Sequence, residues 1–109
     1  MITFVAGETL DLRSTDDYYA ADGRAIDFVS DDYSDLSAAT ITFYVDGKVN
    51  FLKTASYIDS KTLRLELSSA NLQSIGAGRW SYEIRSVFAN SHNITIAVGN
   101  LIITPAFGD

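Results

Sequence analysis

The stretch Gly78-Arg79-Trp80-Ser81-Tyr82-Glu83-Ile84-Arg85 decides the fold of this chain. Its alternate residues Trp80, Tyr82 and Ile84 are large and apolar, which predicts a strand that directs bulky side chains into a core. The segment Leu72-Gln73-Ser74-Ile75 and a Gly-Ala-Gly turn come just before this strand. A helical turn that crosses between two sheets and leads into a central strand is typical of the corner of a small β-sandwich.

Segments of strand character lie on both sides of this corner. Strands are predicted at 8–13, 25–29, 39–45, 48–58, 62–67, 78–85 and 94–104, with a short helical turn at 69–75. The side chains expected near the core are Ile41, Phe43, Val45, Val49, Phe51, Leu52, Leu63, Leu65 and Leu67. Asp46-Gly47 predicts a two-residue type I′ turn, and Gly99-Asn100 predicts a bulge. The sequence therefore predicts an all-β, immunoglobulin-like sandwich of about seven strands with one short helical turn.

Length and charge limit the classes of function. The 109 residues predict a single domain over 1–109, with an acidic insert at about 14–34. The net charge is −6, and nine of the fourteen acidic residues lie in residues 1–35. A basic face that could neutralise phosphates is missing, so no nucleic-acid partner is expected. Neither a signal peptide nor a membrane span is predicted.

No residue pattern predicts catalysis, a cofactor or a metal. The chain has no cysteine, which excludes disulfides and thiolate metal sites. His92 is the only histidine, and neither a nucleophile elbow nor a second member of a triad accompanies it. The aspartates of the insert lack the spacing of a calcium loop, which favours a solvated acidic loop. We therefore expect a protein that is not an enzyme.

Tyrosines in the acidic insert are the candidate contact residues. Tyr18, Tyr19 and Tyr33 are expected outside the core, with Asp31 and Asp32 beside the last of them. Exposed tyrosine next to aspartate and serine suits a protein interface, and it suits recognition of a cell-surface glycan equally well. A third reading is that these rings only pin the long loop to the sandwich.

Four motifs occur here in an order that resembles the N-terminal immunoglobulin-like domain of phage baseplate upper proteins and related tail proteins. They are Ala6-Gly7-Glu8-Thr9-Leu10-Asp11-Leu12, the strand Asp35-Leu36-Ser37-Ala38-Ala39-Thr40-Ile41-Thr42-Phe43-Tyr44-Val45, the segment Leu63-Arg64-Leu65-Glu66-Leu67 with the helical turn after it, and Gly78-Arg79-Trp80-Ser81-Tyr82-Glu83-Ile84 with a terminal hairpin that ends at Pro105. The similarity covers roughly residues 6–106, and the acidic insert is the departure from the family's pattern.

This resemblance implies a non-enzymatic structural or adaptor role in a phage virion. In such a role the domain packs against other phage structural proteins of the tail, baseplate or fibre, and other modules bind sugar. The resemblance also implies a homo-oligomer, as a trimer, that is made in the bacterial host cytoplasm and resides in the virion. The alternative from another class is a carbohydrate-binding module that uses Tyr18, Tyr19 and Tyr33.

Overall fold

The computed structural model describes residues 2–5, 7–29, 39–47, 50–59, 61–88 and 92–105. The eight strands in this part of the chain are β1 (Ile2–Val5), β2 (Leu10–Arg13), β3 (Ile26–Val29), β4 (Thr40–Asp46), β5 (Asn50–Asp59), β6 (Thr62–Leu65), β7 (Gly78–Val87) and β8 (Asn93–Thr104). An α-helix, α1 (Ser69–Ile75), connects β6 to β7, and a 3-10 helix covers Ala20–Asp22. The predicted all-β fold and the helical turn at 69–75 are confirmed, whereas β1 was not predicted.

The strands form two layers that share β5. Hydrogen bonding gives the order β1-β3-β6-β5-β4-β7-β8-β2, in which residues 50–55 of β5 pair with β4 and residues 56–59 pair with β6. The rings of Phe28 on β3 and Phe43 on β4 lie 6.2 Å apart, although these strands are not neighbours in that order. The sheet therefore folds over at β5. The four-stranded layer contains β1, β3, β6 and the end of β5; the five-stranded layer contains the start of β5, β4, β7, β8 and β2.

The connectivity is that of an immunoglobulin-like sandwich. Strands β3, β6 and β5 in one layer, and β4, β7 and β8 in the other, follow the orders B-E-D and C-F-G of immunoglobulin domains. Strand β2 runs parallel to β8 and places Leu10 and Leu12 in the core beside Leu101 and Ile103. Strand β1 is an addition that pairs in parallel with β3.

Alternation along the central strands places the predicted apolar side chains inside. The core residues that the sequence predicted are Ile41, Phe43, Val45, Leu63, Leu65, Leu67, Tyr82 and Ile84. Phe51 and Trp80 are partly buried and pack against this core. Val49 lies outside the described residues.

Three aromatic rings fill the centre of the sandwich. Tyr82 stacks on Phe43 with ring centroids 5.5 Å apart, and Phe28 lies 5.9 Å from Tyr82. In antibody domains this position holds a disulfide between strands B and F that packs against a tryptophan on strand C. The corresponding strands here are β3, β7 and β4, and each carries one of the three rings. Because this chain has no cysteine, contacts among these rings link the two layers instead. Each such pair contributes about 0.5–1.5 kcal/mol beyond the burial of its area.

The corner before β7 is held by local hydrogen bonds. The Ser68 hydroxyl accepts from the Asn71 N–H at 3.0 Å, and the Asn71 side chain accepts from the Ser68 N–H at 2.9 Å. This capping box satisfies two donors at the start of α1. The Trp80 indole N–H donates to the Gly76 carbonyl at 2.8 Å, which ties the start of β7 to the end of the helix.

The β4–β5 hairpin differs from the predicted two-residue turn. Asp46 pairs with Asn50, so three residues connect the strands. Gly47 does not have the positive φ that a type I′ turn requires. A Cβ on Gly47 would lie 2.6 Å from the Ile75 Cγ2 atom. Glycine is required here because α1 packs against the hairpin, and not because the turn is tight.

The bulge in β8 lies at Ile96 and not at the predicted Gly99. The register shifts between the pairs Ile84–Ala97 and Arg85–Thr95, which leaves Ile96 as the extra residue. Gly99 pairs regularly with Tyr82. Glycine occurs at position 99 for another reason, which is that the Tyr82 ring occupies the space that a side chain there would need.

Candidate interaction surface

Tyr18 lies in the core, so the prediction that it stays outside is wrong. Its side chain is only 2% exposed, and its hydroxyl accepts from the Arg13 N–H at 2.9 Å. Its backbone forms a bridge with Leu67, with N···O distances of 2.7 and 3.2 Å. The Arg24 guanidinium covers the ring at 4.8 Å. Tyr18 therefore anchors its segment to the sandwich and offers no surface for a partner.

The described part of the predicted insert belongs to the sandwich. The Asp17 carboxylate accepts from the Ser69 N–H at 2.7 Å, and the Glu66 carboxylate accepts from the Ala20 N–H at 2.7 Å. Residues 26–29 form β3, a strand in the middle of the four-stranded layer, as the sequence predicted. The segment is therefore tied to the region around α1 by hydrogen bonds, in which Asp17 of the segment accepts and Ala20 donates to Glu66.

Other predicted contact residues have different positions. Tyr19, the residue after buried Tyr18, lies on the surface and is 37% exposed. Asp31, Asp32 and Tyr33 lie outside the described residues. The structure therefore leaves Tyr19 as the one predicted contact residue, among those described, that faces solvent.

A different surface has the features of a binding site, and we name it the Tyr44 face. It comprises Leu52, Tyr44, Glu83, Arg85 and Val98 on the outside of the five-stranded layer. One row runs straight across four strands, because Leu52 pairs with Tyr44, Tyr44 with Glu83, and Glu83 with Val98. Directly paired residues project on the same side of a sheet. The residues before and after Tyr44 and Glu83 along their strands are in the core, so this row points away from it.

A polar cluster occupies the centre of the Tyr44 face. Arg85 donates to the Glu83 carboxylate at 3.0 Å, and the Thr95 hydroxyl donates to the other Glu83 oxygen at 3.1 Å. The Arg85 guanidinium carbon lies 4.9 Å from the centre of the Tyr44 ring. The hydrogen bond from Arg85 lowers the pKa of Glu83, and the same bond raises the pKa of Arg85. Both groups are therefore charged at neutral pH, with the cation held over the ring.

Two aliphatic side chains flank this cluster. Leu52 is 61% exposed and Val98 is 62% exposed, more than any other large apolar side chain in the described part of the chain. They border a shallow groove of about 390 Å³ that Tyr44, Glu83 and Arg85 also line. The prediction that Leu52 lies near the core is wrong, because the register pairs it with outward-facing Tyr44.

Within the described ranges, no group of three or more His, Cys, Asp or Glu side chains is placed to hold a metal ion. His92 is exposed just before β8, and its carbonyl accepts from the Phe88 N–H at 3.0 Å. The chemistry that the Tyr44 face can perform is recognition, through an aromatic ring, a fixed ion pair and two aliphatic groups.

Comparison with known protein families found no matching family model, and comparison with curated proteins found no match. In the residues that the structure describes, no helix has the length and apolar character needed to cross a membrane. A function for the chain therefore has to be inferred from the geometry of its surface and from the resemblance of its motifs.

Proposed function

We propose that this chain is a non-enzymatic binding module, a structural or adaptor protein of a phage virion that works by packing against other proteins. The observation that carries the binding role is the Tyr44 face, where two strongly exposed aliphatic residues flank an aromatic ring and an ion pair. Tyrosine and arginine are enriched at the energetic centres of protein interfaces. Exposed aliphatic groups beside them gain free energy when a partner removes them from water.

The arrangement also lowers the cost of covering this surface. The Glu83 carboxylate accepts at both of its oxygens, from Arg85 and from the Thr95 hydroxyl, so it keeps hydrogen-bond partners when a binding protein removes water. The Arg85–Tyr44 contact holds the guanidinium in place before a partner arrives. A surface that is ordered in this way loses little conformational entropy on binding.

The virion setting is supported by the resemblance to phage baseplate and tail domains. In that setting the partners are other phage structural proteins, the chain is made in the bacterial host cytoplasm, and it resides in the tail, baseplate or fibre. The homo-oligomer that the resemblance implies, a trimer, belongs to the same proposal.

The carbohydrate-binding alternative loses support from two contacts. Tyr18 is buried, so it cannot stack on a sugar. Arg85 lies over the Tyr44 ring, so the outward-facing tyrosine of β4 does not offer that face for stacking. Tyr19 alone among the described members of the predicted set remains available.

Quantitative mass spectrometry of purified phage particles from the source tests the virion role. We expect peptides of this chain at a fixed copy number in each particle, and a multiple of three fits a trimer. Absence from intact particles would overturn the virion role. A glycan array run with the same protein tests the alternative, because specific binding that Tyr19→Ala abolishes would favour the lectin.

A further inference from the structure

We propose that β8 carries a second binding site, an open strand edge at residues 94–97 that takes an extended segment of another protein as an additional strand. We name it the open edge. This inference goes beyond the proposed function, because it concerns the edge of the five-stranded layer and not its outer face. It also does not depend on the virion setting.

The open edge is the part of β8 that no described strand covers on the side away from β7. Strand β2 pairs with β8 only at residues 101–104. The chain before β2 passes Gly99, since a Cβ there would lie 2.7 Å from the Gly7 carbonyl oxygen. Among the described residues, no strand or isolated bridge pairs with 94–97 on that side. The open edge therefore offers its backbone to one further strand of about four residues, which is about 13 Å long.

Burial along β8 shows what a neighbouring strand does. Leu101 and Ile103 face the core where β2 lies beside β8, and they are 0% and 1% exposed. Ile94 also faces the core, because it pairs directly with the fully buried Ser86. Nevertheless, Ile94 is 45% exposed. The inward side of β8 is therefore closed where a strand lies beside it and open where none does.

The exposure of Ile94 does not come from the end of the sandwich. Ile94 is the last member of a row that crosses the layer through Ala55, Ile41 and Ser86, each paired with the next. The first three members are 9% exposed or less. Only the member on the edge strand is open to water. The opening therefore lies at the side of the layer, in the position of one more strand.

The open edge lacks two features that commonly keep strand edges from pairing. Natural edges often carry charged side chains or proline. Residues 93–104 contain neither. Ile94, Thr95 and Ile96 are β-branched and therefore suit a strand that is paired on both sides. The bulge at Ile96 bends the strand locally but adds no charge to it.

The occupant that fits is an extended segment of a different protein, with apolar side chains at alternate positions and no acidic side chain. Strand β2 is the precedent, because it places Leu10 beside Leu101. An apolar side chain on the added strand covers Ile94 in the same way. The net charge of −6 disfavours an acidic segment and also a second copy of this chain. A second copy would moreover set two bulged, bent strands against each other at Ile96.

Titration of the purified chain with a synthetic peptide tests the site. The probe is Lys-Thr-Val-Thr-Val-Thr-Val-Thr-Lys, which has β-branched apolar residues at alternate positions and no acid. We expect saturable binding with a Kd below about 1 mM. The largest NMR shifts and the strongest slowing of amide hydrogen exchange are expected at residues 94–97. The same peptide with every backbone amide N-methylated cannot pair with a strand edge, and we expect it not to bind.

Ile94→Lys places an inward charge on the open edge, a change that blocks strand pairing. Ile58→Lys is the matched control, since Ile58 is 44% exposed and lies on β5. Circular dichroism first shows that both variants fold. We expect Ile94→Lys to weaken peptide binding at least tenfold and Ile58→Lys to weaken it less than twofold.

Several results would overturn this inference. They are no binding below about 1 mM, equal weakening in the two variants, binding of the N-methylated peptide, and shifts centred outside the open edge. Shifts at residues 94–97 that depend on the concentration of the chain without peptide would show a second copy there, and would overturn the proposed occupant. The copy number in phage particles tests the proposed function separately, because the titration uses the purified chain.

Discussion

The ring of Tyr82 occupies the space that a side chain on Gly99 would need. The two residues are paired across β7 and β8, and a Cβ on Gly99 would lie 2.7 Å from both the Cε2 and the Oη atoms of Tyr82. The same Cβ would lie 2.7 Å from the Gly7 carbonyl oxygen. Absence of a side chain at Gly99 lets the Tyr82 hydroxyl reach the Glu8 carbonyl, to which it donates at 2.7 Å.

Gly99→Ala is therefore expected to destabilise the fold by about 2 kcal/mol or more, as other overpacked sites do. The clash involves backbone as well as ring atoms, so a small rotation of Tyr82 does not relieve it. Gly23→Ala is the control, because its Cβ meets no atom within 4 Å and the only cost is the left-handed φ of +71°. Urea unfolding of both variants measures the difference. Equal losses would show that the contact with Tyr82 does not matter.

Tyr18 and Tyr19 are expected to behave in opposite ways although they are adjacent. Tyr18→Ala removes a buried ring and the acceptor of the Arg13 N–H, and we expect a loss of about 3–5 kcal/mol. Tyr19→Ala changes an exposed side chain, and we expect a change within about 0.5 kcal/mol. Thermal unfolding followed by circular dichroism compares them. A Tyr18→Ala variant as stable as the wild type would contradict the buried position of that ring.

The Glu83–Arg85 pair predicts that stability depends on pH. Because the pKa of Glu83 is lower in the folded chain than the ordinary value of 4.5, ionised Glu83 makes its full contribution to the free energy of unfolding above about pH 4.5. That contribution is lost as the pH falls further, through the pKa of the folded state. We expect Glu83→Gln to cost roughly 0.5 kcal/mol at neutral pH, as for other exposed pairs, and progressively less as the pH falls below about 4.5. A cost that does not change between neutral and acid pH would contradict the pairing.

Much of the fold was predictable because β-sandwich signals are local. Alternation of apolar residues in β4, β6 and β7 predicted their buried faces, and the run from Ser68 to Gly76 predicted α1. Two glycine signals were misinterpreted for a common reason. Gly47 and Gly99 are required by side chains that approach from elsewhere in the fold, Ile75 and Tyr82, and not by the local turn or bulge.

The candidate site was not predictable, because it depends on strand order and register. Phe51 and Leu52 are adjacent apolar residues, and only the pairing of Leu52 with Tyr44 shows which of them faces solvent. The Tyr44 face joins residues from four strands that come together only in the folded sheet. The prediction for Tyr18 was wrong because of the sequence around it. A polar and acidic segment predicts a loop, but hydrogen bonds to Leu67 and Arg13 draw its tyrosine into the core.

Incorporation into phage particles of a chain altered only on the Tyr44 face tests the central claim most directly. Leu52→Lys with Val98→Lys places two charges on that face. Tyr19→Lys with Ile58→Lys is the matched control, since those residues are 37% and 44% exposed and lie outside the face. Both variants are first shown to fold by circular dichroism, and each then competes with the wild type during assembly. We predict that quantitative mass spectrometry of the particles finds the control at the wild-type copy number and the Tyr44-face variant depleted at least tenfold, a difference of about 1.4 kcal/mol. Equal incorporation of the two variants would contradict the claim that the chain works through this face.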